Sequence, residues 1–246
     1  MALPGIQIGP GITIQSGIEI GSIAASPNLV LNLDAATYSG SGNWIDSVNS
    51  LNFTLNNSPT YSNSIGGGSF LFDPASSQFA ASTSGLGNLG NWTVEVWHYY
   101  TGTNSAGATS PCLVTEQWPN VPSKINFALG SLADNNPNLQ AGFFNGSWRS
   151  TPTGYTLTAN NWYQIVGTYD GKNINLYVNG TRVTTAPETS ASASGLAGIA
   201  LMKRWDTATP LQYWGGRLAS VKIWDGDINF EGVRGSWLKN KARYGL

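Results

Sequence analysis

The chain has 246 residues, of which 10% are charged, 11% are aromatic and 30 are glycine, and its formal net charge is -1. That length suffices for one large β domain or two small ones with a real core; the aromatic content excludes disorder, and the near-zero charge leaves no field to recruit nucleic acid or an anionic membrane. The single cysteine, Cys112, excludes an intrachain disulfide framework and a thiolate metal cluster, and no run approaches the roughly 18 apolar residues of a membrane span.

In chain order, residues 5–22 come first. They repeat every six residues as Gly5-Ile6-Gln7-Ile8-Gly9-Pro10, Gly11-Ile12-Thr13-Ile14-Gln15-Ser16 and Gly17-Ile18-Glu19-Ile20-Gly21-Ser22. Each unit is an Ile-x-Ile strand followed by turn residues, and alternation puts both isoleucines on one face. The stripe of Ile6, Ile8, Ile12, Ile14, Ile18 and Ile20 has almost nothing within the segment to cover it. Burying one isoleucine is worth roughly 1.5–3 kcal/mol, so a wet stripe is costly. Residues 1–26 are therefore expected to be a docking arm that assembles with identical subunits, as in a trimer, or with other proteins. An edge strand folded back on its own domain is the alternative. The opening Met1-Ala2-Leu3-Pro4-Gly5 has no basic segment and no long apolar run, so no signal peptide is expected.

Pro27 opens the second unit, residues 27–246. Residues 29–33 read as a buried strand and residues 38–43 as a loop. Residues 92–99 alternate, with Trp92, Val94 and Val96 on one face and Thr93, Glu95, Trp97 and Tyr99 on the other. Phe143-Phe144 leads into Asn145-Gly146, a hairpin signal. Residues 162–169 form a strand, Asp170-Gly171 turns it, and residues 174–178 return with Ile174, Leu176 and Val178 inward. Asn179-Gly180 then turns the chain again, and residues 217–224 make a last core strand. Residues 230–244 read as a helix, with Val233, Trp237 and Leu238 on one side and Arg234, Lys239, Lys241 and Arg243 on the other. Roughly a dozen short strands with one terminal helix predict an all-β, two-sheet antiparallel jelly-roll sandwich.

The stretch Asn161-Trp162-Tyr163-Gln164-Ile165-Val166-Gly167-Thr168-Tyr169-Asp170-Gly171, followed by Leu176-Tyr177-Val178-Asn179-Gly180, resembles the signature of the laminin G-like, concanavalin A-like lectin superfamily. That signature reads W-x-h-V-x-x-T-Y-D-G and then L-Y-V-N-G. Residues 29–35, 69–73, 92–97 and 216–224 are similar to its other strands, so the resemblance covers about residues 27–246. The closing Lys241-Ala242-Arg243-Tyr244-Gly245-Leu246 and the Ile/Gly arm are similar to bacteriophage structural proteins. One departure concerns metal. Where the family often carries an acidic pair and a tyrosine, Asp73 is followed here by Pro74-Ala75-Ser76-Ser77-Gln78-Phe79. Calcium prefers several oxygen ligands including carboxylates, so the segment lends calcium no support. Asp34 and Asp46 are the remaining carboxylates of interest, with turn formation as their expected use, and no other cofactor is implied.

The same sandwich carries glycosidases, whose acid and nucleophile sit on one strand as E-x-D-x-E so that alternation aims them into one cleft. Glu19, Glu95, Glu116, Glu188 and Glu231 nowhere show that spacing. His98, the single histidine, falls on the side of Val94 and Val96 and reads as structural. Cys112 sits among small loop residues without a nearby base, and no G-x-S-x-G elbow surrounds a serine. The glycines at 66–68 precede a strand, which is no phosphate loop. No catalytic residue is expected, and the chain is read as a non-enzyme.

Recognition remains. Sugar rings stack on aromatic faces, while amides and hydroxyls bond their polar edges. Trp118, Trp148 and Trp205 lie in polar, loop-like settings and are the candidate carbohydrate contacts, packing beneath a loop being their other role. Trp44, Trp92, Trp162 and Trp224 read as core. The expectation is a phage virion structural protein, a capsid decoration or a tail fibre or spike component, made in the host cytoplasm. Its lectin-like head would meet a cell-surface glycan. A free lectin or carbohydrate-binding module is the alternative.

Overall fold

The computed structural model describes residues 26–105, 110–116, 124–132, 138–153, 155–192, 198–204 and 212–246. The expectations for the isoleucine arm, Trp118 and Trp205 lie outside those residues. Two antiparallel sheets face each other. The first runs, in spatial order, β15 (Thr181–Pro187), β14 (Asn173–Val178), β13 (Asn161–Tyr169), β7 (Trp92–Asn104), β17 (Trp214–Asp225), β5 (Ser69–Phe72) and β4 (Thr60–Ser62), with β1 (Asn28–Asp34) paired to the later half of β17. The second runs β11 (Trp148–Ser150), β10 (Asn138–Phe144), β9 (Ile125–Gly130), β8 (Cys112–Glu116), β16 (Ile199–Leu201), β6 (Phe79–Ala81), β3 (Asn52–Asn56) and β2 (Trp44–Ile45), with β12 (Tyr155–Thr156) also on β10. The predicted sandwich is the observed one.

Alternation decides what each sheet buries. From the first sheet Trp92, Val94, Val96, Ile165, Tyr169, Val221 and Ile223 point between the layers, where they meet Phe127, Leu129, Ala141 and Phe143 from the second. The layers approach closely at Gly167, where an added Cβ would lie 2.7 Å from the Ala141 Cβ. Asn179 and Gly180 both take left-handed φ, 51° and 73°, the twist that a tight hairpin demands.

The helix α1 (Asn229–Asn240) and the 3-10 turn Lys241–Tyr244 lie on the outer face of the first sheet. Val233 packs with Val166 and Tyr177, while Trp237 and Tyr244 both stack on Trp97, at 5.5 Å and 4.1 Å between ring centroids. Two assignments of helix side are corrected. Leu238 is 55% exposed, because the buried stripe set by Val233 and Trp237 is narrow and the next residue turns about 100° away from it. Arg243 turns inward and grips Asp34 with two bonds of 2.8 and 2.9 Å. The tighter winding after Asn240, about three residues per turn, carries it there.

Candidate functional site

Two rims close the sandwich. One gathers the turns at residues 145–147, 170–172 and 188–191 with the segment 87–90. Arg149 pairs there with Glu188 (3.6 Å), Asn145 Nδ2 donates to the Ala191 carbonyl (3.4 Å) and Asn126 Nδ2 to the Gly87 carbonyl (3.3 Å). Trp148 begins β11 at this rim, half-buried and edge-on to Phe144 (5.5 Å, 72°). It joins a small apolar cluster with Cys112, Ile125, Ala128 and Leu132. Glu116 and Ile125, the strand ends flanking residue 118, lie at the same rim. Lys203 and Tyr213, which flank residue 205, bridge each other at the opposite rim.

Among the described residues, the buried groups Glu95, His98 and Glu116 sit in separate surroundings. Glu95 is buried beneath α1, where its Oε2 accepts from Gln164 Nε2 (2.8 Å), and burial raises its pKa. Glu116 lies at the rim of the second sheet, its Oε2 accepting from the Asn126 amide, and burial pushes its pKa up to about 8. These two carboxyls face different compartments. His98 is fully buried. Its Nε2 accepts from the Trp214 indole (3.1 Å), which can only donate, so its Nδ1 carries the proton and donates to the Arg217 carbonyl (2.9 Å). Burial pushes its pKa down to about 3. Cys112 is a buried residue of β8 rather than a loop residue.

The remaining carboxylates of interest serve turns. Asp46 accepts from the amides of Asn32 (2.6 Å), Val48 (3.1 Å) and Asn49 (2.7 Å). Asp73 accepts from the Ala75 amide (3.0 Å) and the Ser76 hydroxyl (2.6 Å), and Asp34 caps the Ala36 amide (2.9 Å) besides holding Arg243. With their oxygens so used, these groups do not fit a calcium ion. Among the described residues no group of three or more His, Cys, Asp or Glu could hold a metal.

An open polar–aromatic surface does occur, on the outer face of the first sheet, where the sequence reading did not place one. Register sets Trp162 of β13 opposite Tyr99 of β7, and Tyr99 opposite Arg217 of β17. Their neighbours Tyr163, Tyr100 and Leu218 point into the core, so these three point out, and all are half-exposed. Trp162 meets Tyr99 edge-on (5.5 Å, 61°) and lies 4.8 Å from Tyr244. Gly66 backs its indole so closely that an added Cβ would sit 2.5 Å from the ring. Arg217 has a single described side-chain hydrogen bond, from Nη1 to Ser69 Oγ at 3.5 Å. Partial burial lowers its pKa, against an opposing effect of Tyr99. Trp44 and Trp92 are core as expected, whereas Trp162 and Trp224 are only half-buried, because both belong to the outward set of their strands. A cleft of about 150 Å³ also opens at the edge of the second sheet, lined by Tyr38, Asn43, Trp44 and Ile45 among others.

Comparison with known proteins agrees with this architecture. Domain 4 of AbnA, a GH43 extracellular arabinanase from Geobacillus stearothermophilus solved with arabinotriose, superposes with a TM-score of 0.67 at 15% identity, over 85% of this chain and 98% of that one. The binding domain of Paraclostridial Mosquitocidal Protein 1 gives 0.65 at 16% identity, over 85% of this chain and 52% of that one. Trypanosoma rangeli sialidase gives 0.58 at 13% identity in its complex with DANA, over 85% of this chain but 32% of the sialidase. No curated protein sequence matches the chain. The family model described as the concanavalin A-like lectin/glucanases superfamily matches residues 73–233. By fold and by that match, which spans well over half its length, the chain belongs to the laminin G-like branch of the concanavalin A-like superfamily.

Proposed function

We propose that this chain is a carbohydrate-binding, lectin-like protein that acts without catalysis. It forms the exposed head of a phage virion component, a capsid decoration or a tail fibre or spike, joined to identical subunits or other virion proteins by residues 1–26. The observation that carries the binding role is the half-exposed row of Trp162, Tyr99 and Arg217 on a sandwich whose buried glutamates share no cleft. Aromatic faces beside polar groups are what sugar rings require. The assembly role rests on the six-residue isoleucine repeat, which needs a partner surface. A free carbohydrate-binding module is favoured by one observation: this chain aligns with 98% of the arabinanase domain, a module of similar extent.

Full-length protein and residues 27–246 would be compared by light scattering and on a glycan array. The proposal expects both to bind the same glycan and only the full-length protein to oligomerise. A full-length monomer that binds glycan would favour the free module. Steady release of reducing sugar by the pure protein would sink the non-catalytic reading.

A further inference from the structure

We propose that the Trp162–Tyr99–Arg217 row is a binding site for a carboxylate-bearing sugar, a uronic acid or another acidic monosaccharide unit of a polysaccharide. The inference deepens, and rests on, the reading of the chain as a carbohydrate-binding protein. It starts from the guanidinium. An arginine offers five N–H donors in a planar fork that matches a carboxylate with two parallel bonds. Arg217 uses this capacity for one long contact to Ser69 Oγ (3.5 Å), and it forms no ion pair among the described residues. The other half-buried arginine near this face, Arg243, is already satisfied by both oxygens of Asp34 and by the Gly66 carbonyl (2.7 Å). Asp34 is thereby engaged and does not neutralise Arg217. Partial burial raises the strength of whatever anion meets the fork, because water screens it less.

The rings choose a sugar over a bare anion. Tyr99 stands directly across from Arg217, and Trp162 directly across from Tyr99. Neighbouring positions across antiparallel strands are spaced by about 5 Å, so two rings and a guanidinium span roughly one pyranose with its substituent. The seam of aromatics continues at the C-terminal turn, where Trp97 is buried under Tyr244 and Trp237, and Trp237 is half-buried on α1. The Tyr99–Trp162 end is half-exposed, and it lies beside Arg217, which has no ion pair among the described residues. Gly66 fixes the far wall by allowing the loop to touch the indole. A carboxylated ring lying on Tyr99, with Trp162 at its edge, therefore places its acid group on Arg217.

The test is calorimetric titration of the full-length protein at low salt with four probes: tetragalacturonate, a sialic acid trimer, galactotetraose and inorganic phosphate. One acidic oligosaccharide should bind at least about ten-fold more tightly than galactotetraose, the worth of a charge-assisted bond. The preference should vanish in Arg217→Gln, shrink in Arg217→Lys, and fall with added salt, while thermal unfolding of both variants stays near wild type. The two acidic probes separate uronates from sialic acids. Equal binding of acidic and neutral probes, or an acidic preference that survives in Arg217→Gln, overturns the acid assignment and leaves carbohydrate binding standing. Binding of phosphate alone overturns the sugar. Binding of none of the four, with a glycan array also blank, overturns both readings together.

Discussion

Two buried groups with opposite habits should shape the stability of this domain against pH. His98 stays neutral in the folded chain down to about 3, whereas an unfolded histidine takes its proton near 6.5. Its contribution is therefore present above pH 6.5 and is lost as pH falls towards 3. Glu116 keeps its proton in the folded chain up to about 8, whereas an unfolded glutamate releases it near 4.5. Its contribution is full below pH 4.5 and is lost as pH rises through 8. Each interval, taken at about 1.4 kcal/mol per pH unit, sums to ~5 kcal/mol. Between pH 4.5 and 6.5 the two slopes oppose each other, so stability should peak there and decline on both sides. Glu95, whose pKa burial also raises, adds to the alkaline loss. Urea midpoints followed by tryptophan fluorescence from about pH 3 to 9 would give the curve. Glu116→Gln should make the limb between pH 6.5 and 8 shallower by about 1.4 kcal/mol per pH unit. His98→Gln should flatten the acid limb whatever it does to absolute stability. An alkaline limb unchanged in Glu116→Gln would refute the assignment of that slope to Glu116.

Two further substitutions probe the outer face. Tyr244→Ala removes a ring that is 6% exposed and stacked at 4.1 Å on Trp97, and it should cost about 3–5 kcal/mol with loss of near-ultraviolet circular dichroism. A variant with wild-type unfolding would mean that the C-terminal turn contributes little to holding the sheet. Gly66→Ala forces a side chain onto a φ of 63° and into the Trp162 indole, and should cost about 1–3 kcal/mol. It should also shift the tryptophan emission, and an unchanged spectrum would show that the loop yields without moving the ring.

The meander from Asn161 to Gly180 was readable from sequence because its signals are local. Alternating apolar residues define the strands, and Asp170-Gly171 and Asn179-Gly180 supply the left-handed backbone that turns them. The helix was readable for the same reason, but its period failed after Asn240, where a 3-10 turn replaced the expected continuation and brought Arg243 to Asp34. The row of Trp162, Tyr99 and Arg217 was not readable. Alternation alone places Tyr99 with Trp97 and Arg217 opposite Leu218. It cannot say that the strands holding residues 99, 162 and 217 are neighbours, nor that α1 covers Trp97 and leaves Tyr99 open. Trp162 reads as core from its sequence, but its neighbour Tyr163 is the inward residue of that strand.

The pairing of β1 with β17 sets how the domain would be displayed once tethered. Asn28 enters the sheet opposite Asp225, at the end of β17 farthest from Trp214. Arg217 lies eight positions back along that strand, a distance of roughly 25 Å at strand rise. A tether leading from residue 26 would thus hold one pole of the sandwich, the pole at which the Trp148 hairpin also lies. The aromatic–guanidinium row lies toward the other pole, on the flank of the sandwich. Clustered copies would carry their rows outward in a ring, so that several weak single-sugar contacts fall within reach of one polysaccharide strand and add as avidity.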